Sequence, residues 1–175
     1  MRVIAGEFRS RKLKSIPGLE TRPTPDRLRE SLFNILASRM QGITFLDAYA
    51  GTGAVGIEAL SRGAARAIFV EKNRAAVEVI RDNLRTLGVE NRAEVYTGKS
   101  VWVLDRLAAD IVFLDPPYDL RREYDEALQV ISTRSYPFVV AQHASRVQLA
   151  EEYGDLRRIR LVKQGDNSLS FYERT

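Results

Sequence analysis

The chain has 175 residues, of which 45% are hydrophobic and 29% charged, values typical of one soluble globular domain. It contains no cysteine, which excludes disulfides, thiolate chemistry and cysteine-ligated zinc or iron–sulfur sites. No apolar run approaches the roughly 18 residues of a membrane span, and the N-terminus lacks a signal-peptide core, so we expect a cytoplasmic protein.

The positive charge is concentrated near the N-terminus. Residues 1–40 contain nine Lys or Arg against four Asp or Glu, whereas residues 41–175 contain eighteen against nineteen. A GC-rich genome would explain the preference for Arg over Lys but not this segregation. We therefore predict a basic extension over residues 1–20 and a second domain over residues 21–175.

Within the extension, basic side chains and one aromatic interleave with apolar residues on both sides of Gly6, a pattern that predicts a β-hairpin. Phe8 is suited to stacking on a base. A solvated basic hairpin packed on the domain is the alternative to an RNA-binding one. The side chains suited to phosphate contacts are Arg9, Arg11, Lys12 and Lys14.

A helix is predicted from Pro25 to about Met40, with Thr24 as its capping residue. Apolar residues recur at helical spacing along it, so one face is expected to pack inward. Arg22 and Arg29 are then expected to face the mouth of an active site. The apolar positions are Leu28, Leu32, Ile35 and Leu36.

A strand, a nucleotide-binding loop and a helix start are predicted over residues 44–60. An apolar run ends at Asp47, and a turn rich in Gly and Ala follows. Gly51 and Gly53 allow the backbone to turn sharply and approach a ligand, while Gly56 allows close packing of helix on strand. This spacing alone is a weak signal, because sites for NAD, FAD and S-adenosylmethionine share it.

Two later features narrow the choice of ligand. The second apolar run ends at Glu71, about 20 residues after the glycines, where a carboxylate can accept hydrogen bonds from both hydroxyls of a ribose. A third apolar run, residues 111–114, is followed by Asp-Pro-Pro-Tyr over residues 115–118. A dehydrogenase has no use for that tetrapeptide.

The tetrapeptide has the groups needed to activate an exocyclic amine. The nitrogen lone pair of such an amine is delocalised into the ring until acceptors favour its pyramidal form, and the Asp115 carboxylate and Pro116 carbonyl are two acceptors. Consecutive prolines, Pro116 and Pro117, fix φ and remove two N–H donors. Tyr118 offers a flat face on which a flipped-out base can stack.

Beyond the loop, predicted strands and helices alternate, which indicates a parallel sheet with helices on both faces. Asn73 is expected to cap a helix that ends at Gly88. We expect Trp102 and Phe113 in the core and His143 at the surface, at a strand end. The other predicted helices are 100–107, 122–132 and 146–152, and the other predicted strands are 93–96, 136–141, 156–162 and 168–173, of which the last two form a hairpin.

These residues resemble a known family. Asp47 through Gly56, Glu71 and Asp115-Pro-Pro-Tyr118 look like the class I S-adenosylmethionine-dependent methyltransferases that modify exocyclic amines. The N-terminal motifs are similar to those of the RsmD family of 16S ribosomal RNA guanine-N2 methyltransferases, and the similarity covers nearly the whole chain. Those motifs are Arg2-Val-Ile-Ala-Gly6, Arg11-Lys12-Leu13, Thr21-Arg22-Pro23-Thr24, Arg29-Glu30, Phe33-Asn34-Ile-Leu36 and Glu58-Ala-Leu-Ser-Arg-Gly-Ala64.

The resemblance implies an α/β fold, a seven-stranded, mostly parallel Rossmann-like sheet with one antiparallel strand and an N-terminal β-hairpin. It implies S-adenosylmethionine as cofactor, no metal, and methyl transfer to N2 of a loop guanine in 16S ribosomal RNA, within the small subunit or an assembly intermediate. The implied catalytic residues are Asp115, Pro116, Pro117 and Tyr118. The implied cofactor contacts are Asp47, Ala48, Ala50, Gly51, Gly53, Gly56, Glu71, Lys72, Ser100 and Asp115. The implied RNA contacts are Arg9, Arg11, Lys12, Arg22, Arg29 and Tyr118.

Two positions depart from the family pattern. Gly98-Lys99-Ser100 stands where related enzymes tend to carry Asp or Asn for the adenine amine, so we expect backbone groups and the Ser100 hydroxyl to recognise adenine. Gln142 stands where Glu is expected.

Three other functions are compatible with parts of the pattern. A methyltransferase acting on adenine N6 of DNA or RNA would use the same tetrapeptide, although the chain has no room for a DNA-recognition domain. A non-catalytic RNA-binding protein could retain the fold, although the intact tetrapeptide argues against it. A dinucleotide-dependent oxidoreductase would account for the glycine spacing but not for the Asp-Pro-Pro-Tyr tetrapeptide.

Overall fold

The computed structural model describes residues 1–18, 24–117 and 121–175. Strands and helices alternate along most of the chain, as predicted. The strands are β1 (Thr44–Asp47), β2 (Arg66–Glu71), β3 (Ala93–Thr97), β4 (Ile111–Leu114), β5 (Phe138–Ala144), β6 (Glu152–Tyr153), β7 (Leu156–Gln164) and β8 (Asn167–Arg174). The helices are α1 (Asp26–Leu36), α2 (Ala54–Ser61), α3 (Arg74–Leu87), α4 (Ser100–Leu104) and α5 (Arg121–Ser132), with two 3-10 turns at Ala37–Arg39 and Glu90–Arg92.

All eight strands form one sheet in the order β3-β2-β1-β4-β5-β8-β7-β6. Strands β1 to β5 run parallel, and β8 is antiparallel to both of its neighbours, β5 and β7. The predicted seven-stranded sheet with one antiparallel strand is therefore confirmed. The two-residue strand β6, antiparallel to β7, adds a short eighth strand at the edge.

The prediction of a helix over residues 146–152 was wrong. This stretch forms a turn that leads into β6, and Val147 and Leu149 are buried against the sheet. Two tyrosine hydroxyls form hydrogen bonds with the backbone of this stretch. The Ala150 amide donates to the Tyr153 hydroxyl, and the Ala150 carbonyl accepts from the Tyr172 hydroxyl. Tertiary packing thus overrides the local helical pattern.

Alternate residues of each central strand pack on opposite faces of the sheet. Val112 and Leu114 of β4 contact the core beneath α4 and α5, whereas Phe113 packs on the α1 side, as expected for a core residue. Trp102 was wrongly predicted as core and is 61% exposed. Among the described residues, no helix is both long and apolar enough to span a membrane.

The predicted caps of two helices have different outcomes. Asn73 caps α3 by accepting a hydrogen bond from the Ala76 amide at 3.1 Å, and Gly88 ends that helix at φ 69°, as predicted. At the start of α1 the capping residue is Pro25, without a side-chain cap, so the prediction for Thr24 was wrong. The Thr24 hydroxyl instead donates to Asp115 Oδ2 at 3.4 Å.

The N-terminal segment, residues 1–18, packs along α2 and α3. It folds back on itself through an isolated antiparallel bridge between Arg2 and Lys12, a minimal form of the predicted hairpin. Phe8 is buried in a core cluster with Ile57, so its expected stacking on a base was wrong.

Candidate active site

The carboxyl ends of β1, β2, β4 and β5 meet around a cavity of about 750 Å³. Parallel strands place their carboxyl ends at one edge of a sheet, which is where open α/β folds bind ligands. Residues 1 and 16 of the N-terminal segment also line the cavity. Of the predicted site residues, those lining it are Asp47, Ala50, Gly51, Glu71, Lys72, Ser100, Asp115, Pro116 and Pro117.

The glycine loop between β1 and α2 is held by a buried carboxylate. Asp47 Oδ2 accepts a hydrogen bond from the Gly56 amide at 3.0 Å, which ties the end of β1 to the first turn of α2. A Cβ on Gly56 would lie 2.3 Å from the Phe69 ring, so helix and strand pack this closely only with glycine. Gly51 has φ 55° and open space where a Cβ would point, so its backbone is accessible from the cavity.

Glu71 at the end of β2 is fixed by two backbone amides. Oε2 accepts from Gly51 at 2.8 Å, and Oε1 accepts from Asn73 at 2.9 Å. A carboxylate has about four acceptor sites, so each oxygen retains capacity for one further donor. The pair of vicinal ribose hydroxyls predicted from the sequence fits this remaining capacity.

Five carboxylates line the cavity against two lysines, Lys72 and Lys99, which gives it a negative character; the carboxylates are those of Asp47, Glu71, Asp115, Glu123 and Glu126. Burial raises the pKa of Asp47 to about 7, against the Gly56 hydrogen bond, and the charges of Asp115 and Glu71 raise the pKa further. Since each of these carboxylates is more stable beside a positive charge, the cavity favours a cationic ligand.

Asp115 lies where β4 ends, next to buried Pro116 and exposed Pro117. Thr24, 91 positions earlier, reaches it through the hydroxyl contact already described, so the start of α1 forms part of this wall. The predictions for Tyr118 and Arg22 fall outside the described residues.

Ser100 is buried at the start of α4, and its hydroxyl donates to the Ala48 carbonyl. With its proton committed there, this hydroxyl can only accept from a ligand. Ala48, Gly53 and Gly56 are buried and do not line the cavity, so they shape the loop around it.

The predicted RNA contacts divide into two groups. Arg9, Arg11 and Lys12 are exposed, and none of them forms an ion pair within the described ranges. Arg29 is fully buried, so its predicted place at the mouth of the site was wrong. Its Nη2 donates to the carbonyl of Arg2 at 2.7 Å and thereby anchors the N-terminal segment.

The sequence analysis missed a second anchor, Glu58. This residue is fully buried in α2, and its carboxylate accepts from the amides of Ile4 and Ala5 at 2.9 and 3.0 Å. It also accepts from Arg62 Nε at 2.8 Å. A single carboxylate in an otherwise apolar helix was the available signal, because a buried charge requires partners.

Three residues of β5 also line the cavity, Gln142, His143 and Ala144. His143 was wrongly predicted to be at the surface and is 5% exposed. Its ring nitrogens bond Ser170 Oγ at 2.8 Å and the Ala144 carbonyl at 2.9 Å. Burial lowers the pKa of His143, which favours the neutral imidazole.

The sequence profile of a protein family described as "Conserved hypothetical protein 95" matches residues 1–173. The chain belongs to this family. A family relative from Bacillus subtilis, named "Putative rRNA methyltransferase YlbH", is 36% identical over 99% of both chains. "Ribosomal RNA small subunit methyltransferase D" of Escherichia coli is 43% identical over 67% of this chain and 60% of that protein. The predicted resemblance to the RsmD family is thereby confirmed.

Solved structures show the same fold. A structure titled "Putative methyltransferase yhhF from Escherichia coli" superposes with a TM-score of 0.88 at 31% identity, covering 99% of this chain and 97% of that one. An RNA methyltransferase from Salinibacter ruber, solved with S-adenosyl-L-homocysteine, gives a TM-score of 0.71 at 19% identity, covering 87% of this chain and 93% of that one. The predicted class I methyltransferase fold is confirmed.

Proposed function

We propose that this protein transfers a methyl group from S-adenosylmethionine to N2 of a guanine in 16S ribosomal RNA of the small subunit. The observation that carries the proposal is the placement of Asp115, which lines the same cavity as the glycine loop and Glu71. The names of the Bacillus subtilis and Escherichia coli relatives support ribosomal RNA as the substrate. From such a substrate we infer a cytoplasmic enzyme.

The cavity fits this cofactor. Gly51 offers accessible backbone, Glu71 retains acceptor capacity for two hydroxyls, and the carboxylates of Asp47, Glu71 and Asp115 favour a cation. When bound, S-adenosylmethionine supplies a methyl group attached to a positively charged sulfur. We assign Gly51 to backbone contacts, Glu71 to the ribose and Asp47 to the loop and the methionine moiety.

The chain's own residues orient and activate the amine. The Asp115 carboxylate and the Pro116 carbonyl accept hydrogen bonds from N2. The nitrogen then becomes pyramidal, and its lone pair is localised on the nitrogen rather than delocalised into the ring. Pro116 is buried in the wall of the cavity beside Asp115. The nitrogen gives up one proton after alkylation, and the Asp115 carboxylate is an acceptor for it. Most of the rate comes from holding the amine in line with the methyl group.

The exposed side chains of Arg9, Arg11 and Lys12 are proposed to contact phosphates of the RNA. They lie on the N-terminal segment, whose residues 1 and 16 form part of the cavity wall. A phosphate-binding surface there would position the RNA beside the site.

Small ribosomal subunits lacking this methylation provide the test. Incubation with labelled S-adenosylmethionine, nuclease digestion and mass mapping should place one methyl group on guanine N2. Methylation of adenine N6 would establish the alternative enzyme, and no transfer by the intact protein would favour a non-catalytic RNA-binding role. The Asp115→Ala variant is the control for contaminating activity.

A further inference from the structure

Gln142, near the end of β5, has a buried polar atom without a partner. The residue is 6% exposed and lines the cavity, and its Oε1 has no hydrogen-bond partner in the part of the chain that the structure describes. Leaving an amide oxygen buried and unpaired costs free energy, and such atoms are rare in native proteins. A buried amide that lines a ligand cavity is explained if a ligand pairs with it.

The sheet places Gln142 beside Asp115. Leu114 of β4 pairs in register with Ala141 of β5, so the next residue of each strand, Asp115 and Gln142, lies level across the two strands. In the sheet order, β1 and β2 lie on the other side of β4. Gln142 therefore borders Asp115 on the side opposite the glycine loop and Glu71, where the base rather than the cofactor is expected.

The backbone of Gln142 is held firmly. Its carbonyl accepts from the Tyr124 hydroxyl at 2.7 Å, and it pairs with Leu169 in β8. The next residue, His143, is fixed by its bonds to Ser170 and Ala144. A side chain on such a rigid backbone can occupy only a few positions, which favours specific recognition of one base edge over non-specific binding.

We propose that the side-chain amide of Gln142 identifies the target base as guanine, by accepting from N1–H and donating to O6. This inference rests on the proposed function, in which Asp115 and Pro116 bind the adjacent N2 amine. The Watson–Crick edge of guanine presents N2–H, N1–H and O6 in a row. One carboxamide supplies the acceptor and the donor that the last two require.

The test compares guanine with 2-aminopurine at the target nucleotide. 2-Aminopurine keeps the N2 amine but lacks O6 and the proton on N1. It therefore cannot form either of the two hydrogen bonds proposed for Gln142. Small subunits would be reconstituted with 16S ribosomal RNA ligated to carry either base at the mapped position. The measured quantity is the ratio of kcat/KM for guanine to kcat/KM for 2-aminopurine.

The wild-type enzyme should prefer guanine, and Gln142→Leu should reduce that preference by roughly five- to hundredfold, as for loss of a bidentate base contact. Gln148→Leu is the matched control, because Gln148 is exposed and outside the cavity, and it should keep the wild-type ratio. Cofactor affinity measured by calorimetry should be equal in all three proteins. Gln142→Met replaces Gln142→Leu if the latter fails to bind cofactor.

An unchanged ratio in Gln142→Leu, with cofactor affinity intact, would overturn the inference. Failure of the proposed function looks different, because the wild-type enzyme would then not methylate guanine N2 at all. The first result removes Gln142 from base recognition, whereas the second is visible before any variant is made.

Discussion

The two halves of the cavity are built differently. In the part at the ends of β1 and β2, which we call the cofactor half after its proposed ligand, backbone amides fix Asp47 and Glu71 over separations of 2, 9 and 20 positions along the chain. In the base half, at the ends of β4 and β5, Asp115 and Gln142 are brought together by strand pairing, and Thr24 reaches Asp115 from 91 positions away. The contacts of the cofactor half thus span only residues 47–73, whereas the base half also includes Thr24, from the start of α1. We expect substitutions in the two halves to affect different kinetic constants.

The largest effect should come from Asp115→Ala in the base half. It removes an acceptor whose interaction with the amine strengthens as the nitrogen becomes pyramidal, so kcat should fall by roughly 10²–10³-fold, the scale for loss of one preorganised hydrogen bond. Cofactor affinity should fall far less than kcat, because only one of the carboxylates that attract the cationic cofactor is removed. Single-turnover methyl transfer and calorimetry measure the two quantities separately.

Asp115→Asn serves as the matched control for that experiment. It keeps one carbonyl acceptor and should retain more activity than Asp115→Ala. An active Asp115→Ala enzyme would mean that the Pro116 carbonyl suffices alone. A large loss of cofactor affinity would show instead that the two halves are not separable.

Glu71→Ala is the corresponding test of the cofactor half. It removes the proposed ribose acceptor, so cofactor affinity should fall by roughly 1.5–3 kcal/mol, the scale for hydrogen bonds to a charged group. Glu90→Ala is a control, since Glu90 is exposed and outside the cavity. At saturating cofactor, kcat should be close to that of the wild type. Calorimetry giving equal affinity for both variants and the wild type would remove the ribose assignment.

The third prediction asks whether the base half extends onto the N-terminal segment. If Arg9, Arg11 and Lys12 contact phosphates, replacing all three with Ala should lower the log–log salt slope of small-subunit binding by roughly 2–3 units. All three are exposed, and Arg11 forms one surface hydrogen bond, to the Thr86 carbonyl, so their removal should leave the fold and the cofactor affinity nearly unchanged. Binding across a salt series gives the slope. A slope equal to that of the wild type would indicate a solvated surface that only packs on the domain.

The sequence predicted the secondary-structure elements of the cofactor half because their determinants are local. A glycine loop, a strand ending in a carboxylate and a capped helix such as α3 each follow from short-range rules. Several of the errors concern long-range contacts. Arg29 was expected at the mouth of the active site, but its hydrogen bond to the Arg2 carbonyl exists only when the N-terminal segment packs against α1 as well as along α2 and α3. No periodicity in the chain encodes that contact.

The base half was predicted only in part, for the same reason. Asp115 could be identified because it ends a buried strand in a distinctive tetrapeptide. Gln142 was noticed only as a departure from the family pattern, since its position beside Asp115 depends on the register of β4 against β5. His143, expected at a strand end, is buried because β5 continues to Ala144 and pairs with β8.

The last prediction concerns the pH dependence of cofactor binding, which follows from the raised pKa of Asp47, about 7. A cationic cofactor favours the ionised carboxylate, so below about pH 7 binding must release a proton and affinity should fall by up to about tenfold per pH unit. Above that pH, the Asp47 contribution should be constant. Asp47→Asn cannot ionise, so its profile should lack this fall. Calorimetry from about pH 5.5 to about 8.5, in two buffers of different ionisation enthalpy, counts the protons released. Equal profiles for the wild type and Asp47→Asn would show that Asp47 only holds the loop and does not sense the charge of the ligand.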